Sequence, residues 1–238
     1  MTRPEPPTSV QKTARTAGLL YLILAVSGGF AEFFVRQAIV VRGDAEATVA
    51  NLLASTPIFR LGIVAELVGQ VVFVLLVMAL YRLLGGIDRR QARLMVTFVV
   101  IAVAITCLNM LNQFAPLLLL SGAPYLGAFD TAQLHALVLA FLDLQHAGYL
   151  IAQVFFGLWL LPLGILVFRS GFLPRAVGVL LVVACAGYLV DVALFFLAPG
   201  FGLVLSEFTF VGELALMLWL LVFGVNVERW TKRALQPA

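Results

Sequence analysis

Long apolar runs separated by short polar joints dominate this chain. A bilayer core of about 30 Å is crossed by roughly 20 mostly apolar helical residues, and six stretches reach that length: 14–35, 61–84, 94–117, 145–168, 174–197 and 205–225. Runs such as VVFVLLVMAL and LLVVACAGYLV lack the period-two alternation of membrane β-strands. The pattern predicts an all-α fold, a polytopic six-helix transmembrane bundle occupying residues 14–227.

The polar joints refine this picture. RSGFLPR, between the fourth and fifth spans, offers a glycine where one helix can end and Pro174 where the next can begin. In the first loop, RGDAEATVANLLAS predicts a short amphipathic surface helix starting near Asp44. In the third loop, DTAQLHALVLAFLDL predicts a second amphipathic helix, lying on the membrane ahead of span four. Residues 1–13, with three prolines and little apolar content, predict a disordered cytoplasmic tail, and 228–238 a basic cytoplasmic tail. The run after the first tail exceeds a signal-peptide core of about 7 to 15 residues, so it is expected to be retained as the first span.

Composition agrees with the pattern. The 238 residues are 63% hydrophobic and 11% charged, with a mean hydropathy of +1.08, whereas about a quarter of a soluble domain is charged. The net charge of +3 does not imply nucleic acid as a partner, because the bases sit in short clusters beside apolar runs without interleaved aromatics. The partner implied is the lipid bilayer. Of the Lys and Arg residues, only Arg36, Arg42 and Arg60 fall in the joints on one side; all the others fall on the opposite side. The positive-inside rule then places both termini in the cytoplasm. Cys107 and Cys185 lie inside apolar runs and are expected to be buried structural thiols.

That orientation gives each intramembrane polar group a depth. Glu32, Asn109, Asn112, Gln113 and Asp191 fall in the outer halves of outward-running spans, and Glu66, His146, Gln153 and Glu213 in the first turns of inward-running ones. The cytoplasmic halves offer nothing comparable. A charged residue at mid-membrane costs about 2.5 to 3.5 kcal/mol, so the acids should face one another, an arginine or water. Asn109, Asn112 and Gln113 share one helix face, as do His146, Tyr149 and Gln153. The expectation is a polar binding chamber in the outer half, with Asp143 beside His146 and with Arg36 and Arg60 at its mouth; Arg36 is placed to pair with Glu32, and Arg60 with Glu66.

Three functions fit such a chamber. It binds or moves a small solute, ion or lipid; it belongs to a structural or pH-sensing subunit, with His146 and Asp143 as the sensor; or it is a metal-dependent intramembrane hydrolase using His146 with Asp143, Asp191, Glu66 or Glu213. The last is the weakest reading. Zinc sites favour His and Cys ligands, the chain has only His135 and His146, and neither HExxH nor GxSxG occurs. The pattern therefore points away from an enzyme and assigns no cofactor or metal.

At AEFFVRQ, FRLG (Phe59 to Gly62), HAGY (His146 to Tyr149) and above all FFGLWLLPLGILVFRSGFLPRAVGVLLVVACAGYLVD, the chain resembles a bacterial multi-pass membrane family known as domain of unknown function 4386. The likeness runs over about residues 14–225. It implies an integral protein of a bacterial inner membrane and lends no substrate, cofactor or catalytic residue.

Overall fold

A computed structural model describes residues 7–198, 200, 202 and 204–234. The chain forms α1 (Pro7–Gly29), a π-helical turn (Phe30–Arg36), α2 (Gln37–Ile39), α3 (Ala45–Ala54), α4 (Thr56–Leu84), α5 (Arg89–Asn109), α6 (Leu111–Leu119), a 3-10 turn (Pro124–Ala128), α7 (Thr131–Leu158), α8 (Leu160–Ser170), α9 (Arg175–Leu197), α10 (Ser206–Thr209), α11 (Val211–Val222) and α12 (Val227–Ala234). No strand occurs among the described residues. Five helical stretches are long and apolar enough to cross a membrane, and six if Ser206–Val222 and Val227–Arg233, bent by 104°, count as one. Only 22% of the most apolar window of Thr8–Ile39 is buried, so much of that span presents apolar side chains outward. Lipid is the solvent that accepts such a surface. The fold is the all-α membrane-spanning one that the hydropathy pattern predicts.

The chain divides into two compact units. Unit 1 comprises Met1–Ile23, Val72–Val103 and Ala152–Ala238; unit 2 comprises Leu24–Val71 and Ala104–Ile151. In unit 1 the core includes Tyr21, Leu76, Leu80, Met95, Trp159, Leu163, Leu181 and Leu216. The Trp159 indole stands edge-on to Phe73 at 5.1 Å and tilted to Tyr21 at 6.1 Å. Pro162, which has no N–H to give to the Leu158 carbonyl, explains why α7 stops at Leu158 and α8 restarts at Leu160. The RSGFLPR joint forms as expected: Gly171 takes φ +73° after α8, and Pro174 precedes α9. Ser170 Oγ seals the turn, donating to Val167 O (2.7 Å) and accepting from Leu173 N (3.1 Å).

Unit 2 packs around Val35, Ile39, Val49, Leu52, Phe59, Ile63, Met110, Val138 and Leu142. Its α3 is the predicted first-loop helix, and Asp44 caps it by accepting from Ala47 N at 2.9 Å. The helix is tied down by Thr48, whose hydroxyl both accepts from Val41 N and donates to Val41 O, and by Asn51, which donates to Ile39 O.

Four expectations need correction. The first helix starts at Pro7, not near Ala14, because Gln11 is anchored: its amide donates to Phe223 O (2.9 Å) and accepts from Val225 N (3.0 Å). Residues 1–6 of the expected tail lie outside the described residues. No separate surface helix forms in the third loop; α7 runs unbroken from Thr131 into span four, since that stretch has no proline or glycine until Gly148, and Val138, Leu142 and Gln145 bury one continuous face. Arg60 does not pair with Glu66, because α4 begins at Thr56 and puts both on one helix six residues apart, on different faces. Cys107 is exposed on the helix surface, while Cys185 is buried as expected.

Charge divides with the fold. The described bases of unit 2 are Arg36, Arg42 and Arg60, against Glu32, Asp44, Glu46, Glu66, Asp130 and Asp143. All the other described Lys and Arg residues belong to unit 1.

Candidate functional site

The thirteen candidate positions sort into two groups, each within one unit. In unit 2 the centre is Arg36. It is delivered by the π-helical turn FAEFFVR, in which Gln37 N reaches five residues back to Glu32 O. The turn buries Ala31 and Val35 and leaves Phe33 and Phe34 exposed, so Glu32 and Arg36 emerge along its partly covered flank. Such π turns are rare and concentrate at functional positions.

Two carboxylates hold the guanidinium. Nη1 of Arg36 bonds Glu32 Oε2 at 2.5 Å, and Nη2 lies 3.6 Å from Glu66 Oε2 on α4. Gln113 on α6 donates to that same Glu66 oxygen at 2.6 Å, and Gln37 donates to Glu32 at 3.3 Å. The guanidinium carbon lies 5.9 Å from the centroid of the Tyr149 ring of α7. The Arg36 side chain keeps 21% of its surface exposed and that of Glu66 10%, so the centre is shielded without being sealed.

Next to it, Asn109 donates to the Gln145 carbonyl at 2.7 Å and accepts from Asn112 at 2.9 Å. Gly148 makes this possible, because any Cβ there would overlap the Asn109 carboxamide. His146 and Asp143 are both exposed on α7, and His146 lies within electrostatic range of Arg36, Arg42, Glu32 and Asp143. Arg60 is exposed on α4. The structure therefore joins Glu32, Arg36, Glu66, Gln113 and Tyr149 in one contact set and Asn109 with Asn112 in a second.

In unit 1 the three remaining candidates have defined partners. Asp191 is a cap: its two oxygens accept from Leu205 N (2.6 Å) and Ser206 N (2.8 Å), the free donors at the start of α10. Glu213 of α11 accepts from Tyr21 (2.8 Å) and Tyr188 (2.9 Å), which joins α1, α9 and α11 through one carboxylate. Gln153 donates to Tyr188 O at 3.5 Å. Tyr21 joins this set through its hydroxyl, although it is not among the thirteen candidates. Its signal was present, because a tyrosine inside GLLYLILAV carries a hydroxyl that needs a partner when buried.

Among the described residues, no three His, Cys, Asp or Glu side chains gather as a metal site would require. Two surface grooves lie away from all thirteen candidates. One of about 410 Å³ in unit 2 runs past Leu119, Pro124, Phe129 and His135; the other, of about 360 Å³, lies between α8 and α9 of unit 1.

Comparison with known proteins supplies no activity. An uncharacterized protein of Archaeoglobus fulgidus is 36% identical over 102 residues, 42% of this chain and 59% of the relative. The chain thus spans somewhat more than half the length of that relative, which is archaeal. No solved structure matches the chain. The family model described as Domain of unknown function (DUF4386) matches residues 16–224, and the chain belongs to that family.

Proposed function

We propose that this integral membrane protein binds a small organic cation or donor-bearing polar solute at the Arg36 centre, in the half of the membrane facing away from the cytoplasm. The observation that carries the reading is one guanidinium held between two carboxylates from separate helices while part of its surface stays open. Two acids against one base leave the centre with excess negative charge, and the Tyr149 ring, over which Arg36 lies, offers a face that a cation displacing Arg36 would take. A small amine can take over the Glu66 carboxylate and the Gln113 carboxamide in place of Arg36. The exposed His146 and Asp143 add a second pair of polar groups on α7.

Orientation rests on the bases. The loops on the Arg36 side carry few of them, and the opposite joints carry many, as expected for a cell-membrane protein with both termini in the cytoplasm. The Asp191 and Glu213 contacts favour a structural role for those two acids, since each satisfies groups on neighbouring helices.

Thermal unfolding of the purified protein in detergent tests the binding reading. At constant ionic strength, tetramethylammonium or ethanolammonium should raise the melting temperature by several degrees through mass action, whereas sodium acetate should not. Glu66→Gln should abolish the shift. Shifts of equal size in wild type and Glu66→Gln, or no shift with either cation, would refute it.

A further inference from the structure

The groove between α8 and α9 does not belong to the Arg36 centre and has its own chemistry. It holds about 360 Å³ and is walled by Gly164, Ile165, Phe168, Gly178, Val179 and Val182, with Arg169 at its rim. Its floor exists because two helices touch there: a Cβ on Gly164 or on Gly178 would come within 2.7 Å of the other residue's carbonyl oxygen. Val179 is 50% exposed and Phe168 46%, so the groove opens sideways from the helix pair along about two turns, roughly 10 Å at 1.5 Å per residue.

The rim is cationic. Arg169 is 60% exposed and lies 3.5 Å from Asp88. Arg175, across the RSGFLPR joint, stacks over the Phe168 ring at 5.7 Å. Arg229 of α12 reaches the Gly171 carbonyl of that joint at 3.4 Å. An apolar channel that starts beneath three arginines at a helical joint matches a molecule with an anionic head and an aliphatic tail.

We infer that this groove is a site for an anionic phospholipid of the surrounding bilayer, with an acyl chain along Gly164, Gly178 and Val182 and the phosphate at Arg169 and Arg175. Charge complementarity selects the lipid: zwitterionic phosphatidylcholine offers the same tail but no net charge. Each arginine near an anionic headgroup is worth about fivefold in affinity.

Native mass spectrometry of the purified protein, equilibrated with equal amounts of phosphatidylglycerol and phosphatidylcholine, reads the selection directly. The wild type should retain phosphatidylglycerol preferentially. The double variant Arg169→Gln/Arg175→Gln, which alters only exposed side chains, should lose about tenfold or more of that preference. Val179→Trp, which fills the groove, should lose the bound lipid with both arginines intact. Arg89→Gln/Arg93→Gln, two other exposed arginines of unit 1, should keep the wild-type preference. An equal loss in Arg89→Gln/Arg93→Gln would mean diffuse surface charge and overturn the site. So would an unchanged preference in both the arginine pair and Val179→Trp, or displacement of the lipid by inorganic phosphate at millimolar concentration.

Discussion

Arg36 and Glu66 sit on different helices with their charged groups 3.6 Å apart, and Gln113 donates to the Glu66 oxygen that faces the arginine. Breaking a largely buried ion pair by removing one partner typically costs about 3 to 5 kcal/mol, because the remaining charge is left stranded. Arg36→Ala should lower stability toward the small end of that range, since the guanidinium is partly exposed. Arg36→Ala/Glu66→Gln should recover part of the loss. Equilibrium unfolding of the two single variants and the double gives the coupling, and strictly additive losses would contradict the pairing.

Asp191 offers a cleaner cap test, because both its oxygens are committed to backbone donors. Asp191→Ala should cost about 1 to 2 kcal/mol, and Asp191→Asn, which keeps one acceptor, about half as much. Hydrogen exchange at Leu205 and Ser206 should accelerate in the alanine variant ahead of the amides of α9. Unchanged protection there would rule out the cap.

The turn before α12 depends on Gly224, which takes φ +67° and has the Gln11 carboxamide where a Cβ would project. Gly224→Ala should destabilise by about 1 to 2 kcal/mol from the left-handed backbone alone, and more from the clash. Gln11→Ala should leave the turn in place while exposing the Val225 amide to faster exchange. Equal effects of the two variants would mean that the side-chain clamp, not the backbone, sets the bend.

Reporter fusions address orientation. Fusions after Gly86 and at the C-terminus should report the cytoplasm, and a fusion after Gly127 the opposite side. A C-terminal fusion active only outside would invert the depth of every polar group and remove the basis for placing the Arg36 centre in the outer half.

Much of the fold was legible because a membrane helix announces itself by length and apolarity, and because RSGFLPR and Asp44 carry local stop and start signals. Two features that the pattern does not predict depend on packing far along the chain. Nothing near Gln11 indicates that its carboxamide binds the backbone at Phe223 and Val225, so the hydropathy pattern alone begins the first helix later than Pro7. DTAQLHALVLAFLDL has the composition of an interfacial helix, and only its burial along Val138, Leu142 and Gln145 reveals it as the start of a longer one. At the candidate site, the residue types were legible from their cost in lipid, whereas the pairing was not. Which arginine meets Glu66 depends on where α4 begins and on how the π turn aims Arg36, neither of which a hydropathy pattern encodes.

Residue number, and not only residue identity, is a determinant of the centre. Each residue of an α-helix rotates the next by about 100°, and the wide turn at Phe30–Arg36 accommodates a residue that ordinary helical winding would not. Deleting Phe33, whose side chain is 64% exposed, would remove that extra residue and let the backbone relax into regular α-helix. Arg36 would then keep nearly its present facing, because the wide turn exists to absorb that residue; the same deletion in the regularly wound α4, such as that of the 47% exposed Val68, would swing Glu66 by about 100° relative to the rest of its helix, away from Arg36. A loss that is silent by composition would thus disconnect the carboxylate from its guanidinium when made in α4, and leave the centre assembled when made in the π turn.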